Sequence, residues 1–243
     1  MRNLVAAELL KVRGTRSMTA VAALAVVSCV AWAVVDVLAF DVQGGPENAY
    51  SMAQQGYLFA LILGILVTAG EYRHRTVAWV LLVTPRRGRV ITAKLGACAV
   101  LGVLVGAAAV AVTAPVTAVL LAITDRPMWT PGVPAVLAGC VLSTTLWCVF
   151  GAALGLLVRN QTAAIVTAFV WFFYAEWFLV MLAPGLGRWT PTGASKAVAG
   201  WDRAGLPVAG ELLPSWAGGL VFLAYTLAAA GASRLVTIRR DVT

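Results

Sequence analysis

The stretch GEYRHRTVAWVLLVTPRRGRVITAK, Gly70–Lys94, decides how this chain is read. It holds Arg73, Arg75, Arg86, Arg87, Arg89 and Lys94, six of the eighteen Lys and Arg residues, together with the only histidine, His74. Between the basic clusters runs an unbroken apolar segment, Val77 to Val83. As a helix those seven residues cover about 10 Å, whereas the hydrocarbon layer of a bilayer is about 30 Å thick. The segment is too short to cross a membrane, and its basic flanks keep both ends on one side. It is also apolar at every position, so a helix here needs cover on all faces. Two readings fit: a docking element for a cytoplasmic protein partner, or an interfacial helix buried against its own chain. Glu71 and Arg75 stand four apart in the acid-first order that favours a helix, and Thr84-Pro85 ends the run because a residue before proline disfavours helical geometry.

The rest of the chain explains why a membrane is the frame. Charged residues make up 12% of 243 residues and hydrophobic ones 61%, with a mean hydropathy of +0.89. That is about half the charge of a soluble domain, too little to cover so much apolar surface in water. The net charge of +8 would point to nucleic acid in a soluble protein. Here it fits basic cytoplasmic loops, and no soluble basic domain exists to bind nucleic acid. Cys29, Cys98, Cys140 and Cys148 all lie in apolar stretches without a CxxC pair and read as buried apolar groups. With a single histidine, no metal site and no Ser-His-Asp triad is expected.

Six stretches are apolar enough to span: about 17–40, 55–70, 95–123, 133–158, 162–183 and 215–235. The second is short and fits a start nearer Ser51; the third is long and contains Pro115, a candidate kink. The first reads as a retained span, not a cleaved leader, because its apolar run continues past Ala31-Trp32-Ala33 to Phe40. Fourteen basic residues fall on one side: Arg2, Lys11, Arg13, Arg16, the six of the opening stretch, Arg159, Arg234, Arg239 and Arg240. Only Arg126, Arg188, Lys196 and Arg203 fall on the other. Both termini are therefore expected in the cytoplasm. Residues 1–16 mix Leu4, Val5, Leu9, Leu10 and Val12 with charges, as an interfacial helix does. The stretch from Pro184 to Pro214 is too polar to span, and its tryptophans suit short external helices at the outer interface. The expected fold is an all-α integral membrane protein forming one transmembrane domain over residues 1–243.

Glu176 is the one acid deep in a span, roughly 21 Å above Thr162 along the fifth helix. A carboxylate there is costly, so it faces the interior or a water path, or is protonated. It reads either as a substrate-pathway residue or proton relay, or as a structural group bonded to a neighbouring span or reaching the outer interface. Its surroundings, WFFYAEWF, include Trp171 and Trp177, which either grip an apolar substrate or anchor the helix. Asp36 lies near the outer end of the first span, where an interfacial acid is ordinary. Gly151 and Gly155 form a GxxxG pair that allows close helix approach. The chain has no GxxxxGK[ST] phosphate loop.

Several segments together resemble the membrane (permease) subunits of type-2 ABC exporters. They are Glu71 with Arg73-His74-Arg75-Thr76, Leu82, Thr84-Pro85-Arg86-Arg87, Arg89 and Lys94; Gly151–Val166 (GAALGLLVRNQTAAIV); Thr190–Val198 (TPTGASKAV); and Ala7–Ser17 (AELLKVRGTRS). The chain departs from the family pattern at Arg75, where Gly is usual. The resemblance implies a cytoplasmic coupling helix between spans 2 and 3, with Glu71, Arg73, Thr76, Trp79, Leu82, Pro85, Arg86 and Arg87 docking an ATP-binding subunit. It further implies two permease copies or a pair of related chains, two ATPase subunits that bind ATP and Mg, a bacterial plasma-membrane location, and no enzymatic activity in this chain. A pathway lined by spans one, two and five is expected, with Glu176, Trp171, Trp177 and Asp36 as candidates. The aromatic lining fits a lipophilic drug, a peptide or a lipid. The alternative is an ATPase-independent, proton-coupled carrier, with Glu176 as relay, or a membrane scaffold.

Overall fold

A computed structural model describes residues 2–39, 45–73, 87–201 and 212–239, leaving aside the side chains at 2–4, 13, 71–73, 87, 184 and 237–239. Within these residues the chain is all-helical: α1 Arg2–Gly14, α2 Arg16–Ala39, α3 Pro46–Ser51, α4 Tyr57–Arg73, α5 Arg87–Ile123, α6 Val133–Val158, α7 Gln161–Val170, α8 Glu176–Leu182, α9 Pro191–Val198 and α10 Ser215–Arg239. A 3₁₀ turn, Met52–Gln54, follows α3, a π-helical turn, Trp171–Ala175, joins α7 to α8, and a second 3₁₀ segment, Pro184–Trp189, precedes α9. Six helical segments are long and apolar enough to cross a membrane: Arg16–Ala39, Pro46–Gly70, Gly88–Ile123, Val133–Val158, Gln161–Leu182 and Ser215–Val236. This is the architecture of a multi-pass membrane protein.

Two of these segments form the centre. Of the most apolar eighteen-residue stretch of Pro46–Gly70, 67% is buried, and of that of Val133–Val158 61%, against 17–39% for the other four. Glycine makes their contact possible. A Cβ at Gly64 would overlap the Cys148 carbonyl oxygen, and one at Gly151 would overlap that of Leu61. Gly155 lies against Ile65 and Thr68, and the Thr68 hydroxyl donates to the Ala152 carbonyl at 3.0 Å. In an apolar solvent, such backbone approach and dispersion contact take the place of the hydrophobic effect in joining helices. Residue numbers rise together along both helices, so they run parallel. Gly102 and Gly106 of α5 meet Thr145 and Val141 of α6, which sets that pair antiparallel. Trp147, fully buried, closes the centre with its ring 5.1 Å from Tyr57, 4.9 Å from Phe172 and 4.9 Å from Phe222, and so touches three other spans.

The second span begins at Pro46, nine residues before the stretch read as apolar. Asn48, Ser51 and Gln54 lower its hydropathy, yet all three are buried in protein and not in lipid, with Ser51 bonded to the Asn48 carbonyl and Gln54 to Ser143 and Ser195. The 3₁₀ turn breaks its backbone ladder. Unsatisfied backbone groups at membrane depth are costly, and the first span supplies a remedy. The Cys29 thiol donates to the Ala53 carbonyl at 3.2 Å and accepts the Gly56 N–H at 3.1 Å. The third span starts near Gly88, earlier than its hydropathy indicates, and α5 runs unbroken through Pro115.

At the end of the bundle that carries α1, Glu8 is 7% exposed and Lys94 4%. Their side chains pair at 3.2 Å, while Lys11 approaches Glu8 from the outside at 3.0 Å. The ion pair pins α1 to the start of α5. At the opposite end, Tyr50 donates to the Met128 carbonyl at 3.0 Å and Thr130 bonds Glu47. Helix α9 sits at this end, with Val198 against Gly139 and Ala197 against Gly218.

Candidate functional site

The fifth span carries its inward groups every four residues: Ala164, Ala168, Phe172, Glu176, Val180. Ala164, Ala168, Glu176 and Val180 are buried, and Phe172 packs on the core. At 3.6 residues per turn, a four-residue spacing drifts by roughly 40° at each step. The wider π-helical turn at Trp171–Ala175 offsets this drift. It keeps Glu176 on the face that Ala164 and Ala168 define, which explains how an acid in so apolar a span comes to be 5% exposed.

Glu176 meets the N-terminus of α9. Thr190 caps that helix through its hydroxyl, which accepts the Gly193 N–H at 3.1 Å, and Pro191 stands at the first helical position, where its missing N–H costs nothing. The next free donor, the Thr192 N–H, goes to Glu176 Oε1 at 3.0 Å, and the Thr192 hydroxyl donates to Oε2 at 2.7 Å. Charge-assisted bonds and the helix dipole both favour a carboxylate here. The partner is thus α9 itself, not a neighbouring span.

The bonds continue inward. The Ser195 hydroxyl donates to the Thr192 carbonyl at 2.9 Å, and Gln54 Nε2 donates to Ser195 Oγ at 3.1 Å and to Ser143 Oγ at 2.9 Å. Gln54 is 1% exposed, and Ser143 and Ser195 are fully buried. A polar chain therefore runs from the broken start of the second span through the fourth span and α9 to the fifth. Gln54 and Ser143 do not stand out in the sequence, and Thr192 and Ser195 do so only as members of the Thr190–Val198 segment, with no role of their own. The available signal was Gln54 beside the apolar run, but a window average places it outside the span.

Beside Glu176 lies a pocket of about 270 Å³, with Tyr57, Phe172, Trp177, Thr192 and Lys196 also on its walls. Trp177 and Met181, both lining it, are 52% and 66% exposed, so on that side it opens to the outer surface of the bundle. Lys196, one helical turn after Thr192, rests its ammonium 4.7 Å from the centre of the Trp201 ring. Burial pulls its pKa below the ordinary lysine value, while attraction to Glu176 acts the other way. The site offers one acid, one base and aromatic walls. Among the described residues no group of three or more His, Cys, Asp or Glu side chains is placed to hold a metal ion.

Of the four pathway candidates, Glu176 and Trp177 meet at this pocket. Trp171 is 54% exposed and lies outside it. Asp36 belongs to a different region of the first span, where Oδ2 is buried without a hydrogen bond and Arg126 is the charge that acts on it. Thr76, Trp79, Leu82, Pro85 and Arg86 lie outside the described residues, as do the side chains of Glu71, Arg73 and Arg87. No family model matches the chain, and no curated protein matches it.

Proposed function

We propose that the chain is the membrane subunit of an ATP-driven exporter of the type-2 ABC class. In this reading it lies in a bacterial plasma membrane with both termini in the cytoplasm and pairs with a second permease copy or a related permease chain. A separate ATP-binding subunit, which carries ATP and Mg, docks on residues 71–87. The observation that supports transport is the pocket: the buried carboxylate of Glu176 and the half-buried Lys196 share it, and an acid within a span is costly unless it serves a path or a ligand. The exporter class rests on the ordered motifs and on the apolar run Val77 to Val83 between its basic flanks. The Glu8–Lys94 pair supports a working role for that end of the bundle, since it fixes α1 against the helix that the run leads into.

The test replaces Trp79 and Leu82 by Asp and measures co-purification with an ATP-binding subunit encoded beside this chain. Loss of the complex is expected, because an aspartate in an apolar contact leaves a buried charge unpaired. Intact assembly and unchanged ATPase activity would sink the reading. The burial of Glu176 keeps a proton-coupled carrier as the second reading, which predicts uptake or efflux driven by a proton gradient without ATP.

A further inference from the structure

Glu176 and Lys196 line the same pocket and attract each other, yet among the described residues no ion pair joins them. Each is held separately. Thr192 holds the carboxylate with two hydrogen bonds, and the Trp201 ring faces the ammonium. Thr192 and Lys196 are four apart on α9 and share a face, so the lysine starts on the side of the helix that meets Glu176. A purely structural pair gains most by closing to contact. Here the two residues instead stand on the walls of a common space.

The chemistry of that space is selective. A cation in it meets Lys196, an anion meets Glu176, and a group carrying both charges satisfies both. At about 270 Å³ the pocket falls below the roughly 300–1,000 Å³ of sites that enclose a drug-sized ligand, so it has room for a head group but not for long chains. Its mouth is flanked by Trp177 and Met181, and Phe178 and Leu182 continue an exposed apolar face at 60% and 77% exposure. In a bilayer this face borders acyl chains. We propose that the pocket binds the zwitterionic ammonium-phosphate head group of an amphiphile entering from the surrounding lipid, with phosphate on Lys196, ammonium on Glu176 and the chain leaving past Trp177 and Met181. That the bound amphiphile is also the exported species rests on the exporter reading; the binding does not.

The experiment uses the full chain, purified without an ATPase partner in a neutral detergent. Native mass spectrometry reads competition between three probes: lysophosphatidylethanolamine, lysophosphatidylglycerol and dodecylammonium. The zwitterion is expected to be preferred by about tenfold over each singly charged probe, the order of one charge-assisted hydrogen bond. Lys196→Gln should move the preference toward dodecylammonium, and Glu176→Gln toward lysophosphatidylglycerol. If Glu176→Gln does not purify as a monodisperse protein, Lys196→Gln alone decides. Free phosphoethanolamine tests the lipid origin and should fail to displace the amphiphile at equal concentration. An unchanged rank order in the variants, or equal displacement by free phosphoethanolamine, overturns the proposal. Because no ATPase is present, either result leaves the Trp79 and Leu82 test standing on its own.

Discussion

Replacing Lys94 by methionine removes the inner partner of Glu8 while keeping most of the volume of the stem. The two side chains are 5% and 9% exposed and meet at 3.2 Å. Deleting one member of a fully buried pair costs about 3–5 kcal/mol, whereas an exposed pair contributes about 0–1 kcal/mol. Glu8 keeps Lys11, half exposed at 3.0 Å, as a second counter-charge. The expected loss therefore lies between these limits, at about 2 kcal/mol, and it falls on the docking of α1, since that is what the bond holds. At about 1.4 kcal/mol per tenfold, this is roughly a 30-fold rise in opening of α1. Hydrogen exchange followed by mass spectrometry on a peptide covering Ala6 to Lys11 reads it, with a peptide around Ala152 as unchanged control. Glu8→Gln and the double variant complete a cycle, in which the double variant should lose less than the sum of the singles. A rise of threefold or less in Lys94→Met would refute the reasoning, because about 0.7 kcal/mol is the worth of an exposed pair.

Two further outcomes probe the centre and the polar chain. Gly151→Ala drives a methyl into the Leu61 carbonyl and should cost about 1–3 kcal/mol. It should lower the thermal midpoint in detergent by about 5 °C, while Gly231→Ala, which meets nothing within 4 Å, leaves it unchanged. Gln54→Leu strips the Ser143 and Ser195 hydroxyls of their shared donor. A loss of about 1–3 kcal/mol should appear as faster hydrogen exchange in Pro191–Val198, and unchanged exchange there would show that the chain does not support α9.

Hydropathy alone located the spans, because a run of about twenty apolar residues has one stable place. It failed where protein replaces lipid as the neighbour. Asn48, Ser51 and Gln54 look like a polar boundary, yet they lie inside the bundle, and Gln54 finds its partners, Ser143 and Ser195, far along the chain. The GxxxG pair was visible as a pattern, but its partner face, Leu61 with Ile65 and Thr68, required the packed helices. Glu176 was conspicuous as a lone acid in an apolar span. Which side it faced depended on the π-helical turn, which no residue type in WFFYAEWF announces.

Composition and span length determined by themselves that this is an all-α chain for a bilayer. They also showed that Val77 to Val83 is too short to cross and too apolar to face water. These are statements about solvent, and each residue carries its own transfer free energy whatever its neighbours. Only the tertiary structure decided that Glu176 belongs to α9 through Thr192, that Lys196 shares its pocket without pairing, and that Asp36 and Trp171 stand elsewhere. Those are statements about direction. Hydrogen bonds and ion pairs act over about 3 Å, so a turn of helix, or one π-helical turn in it, decides which charges meet.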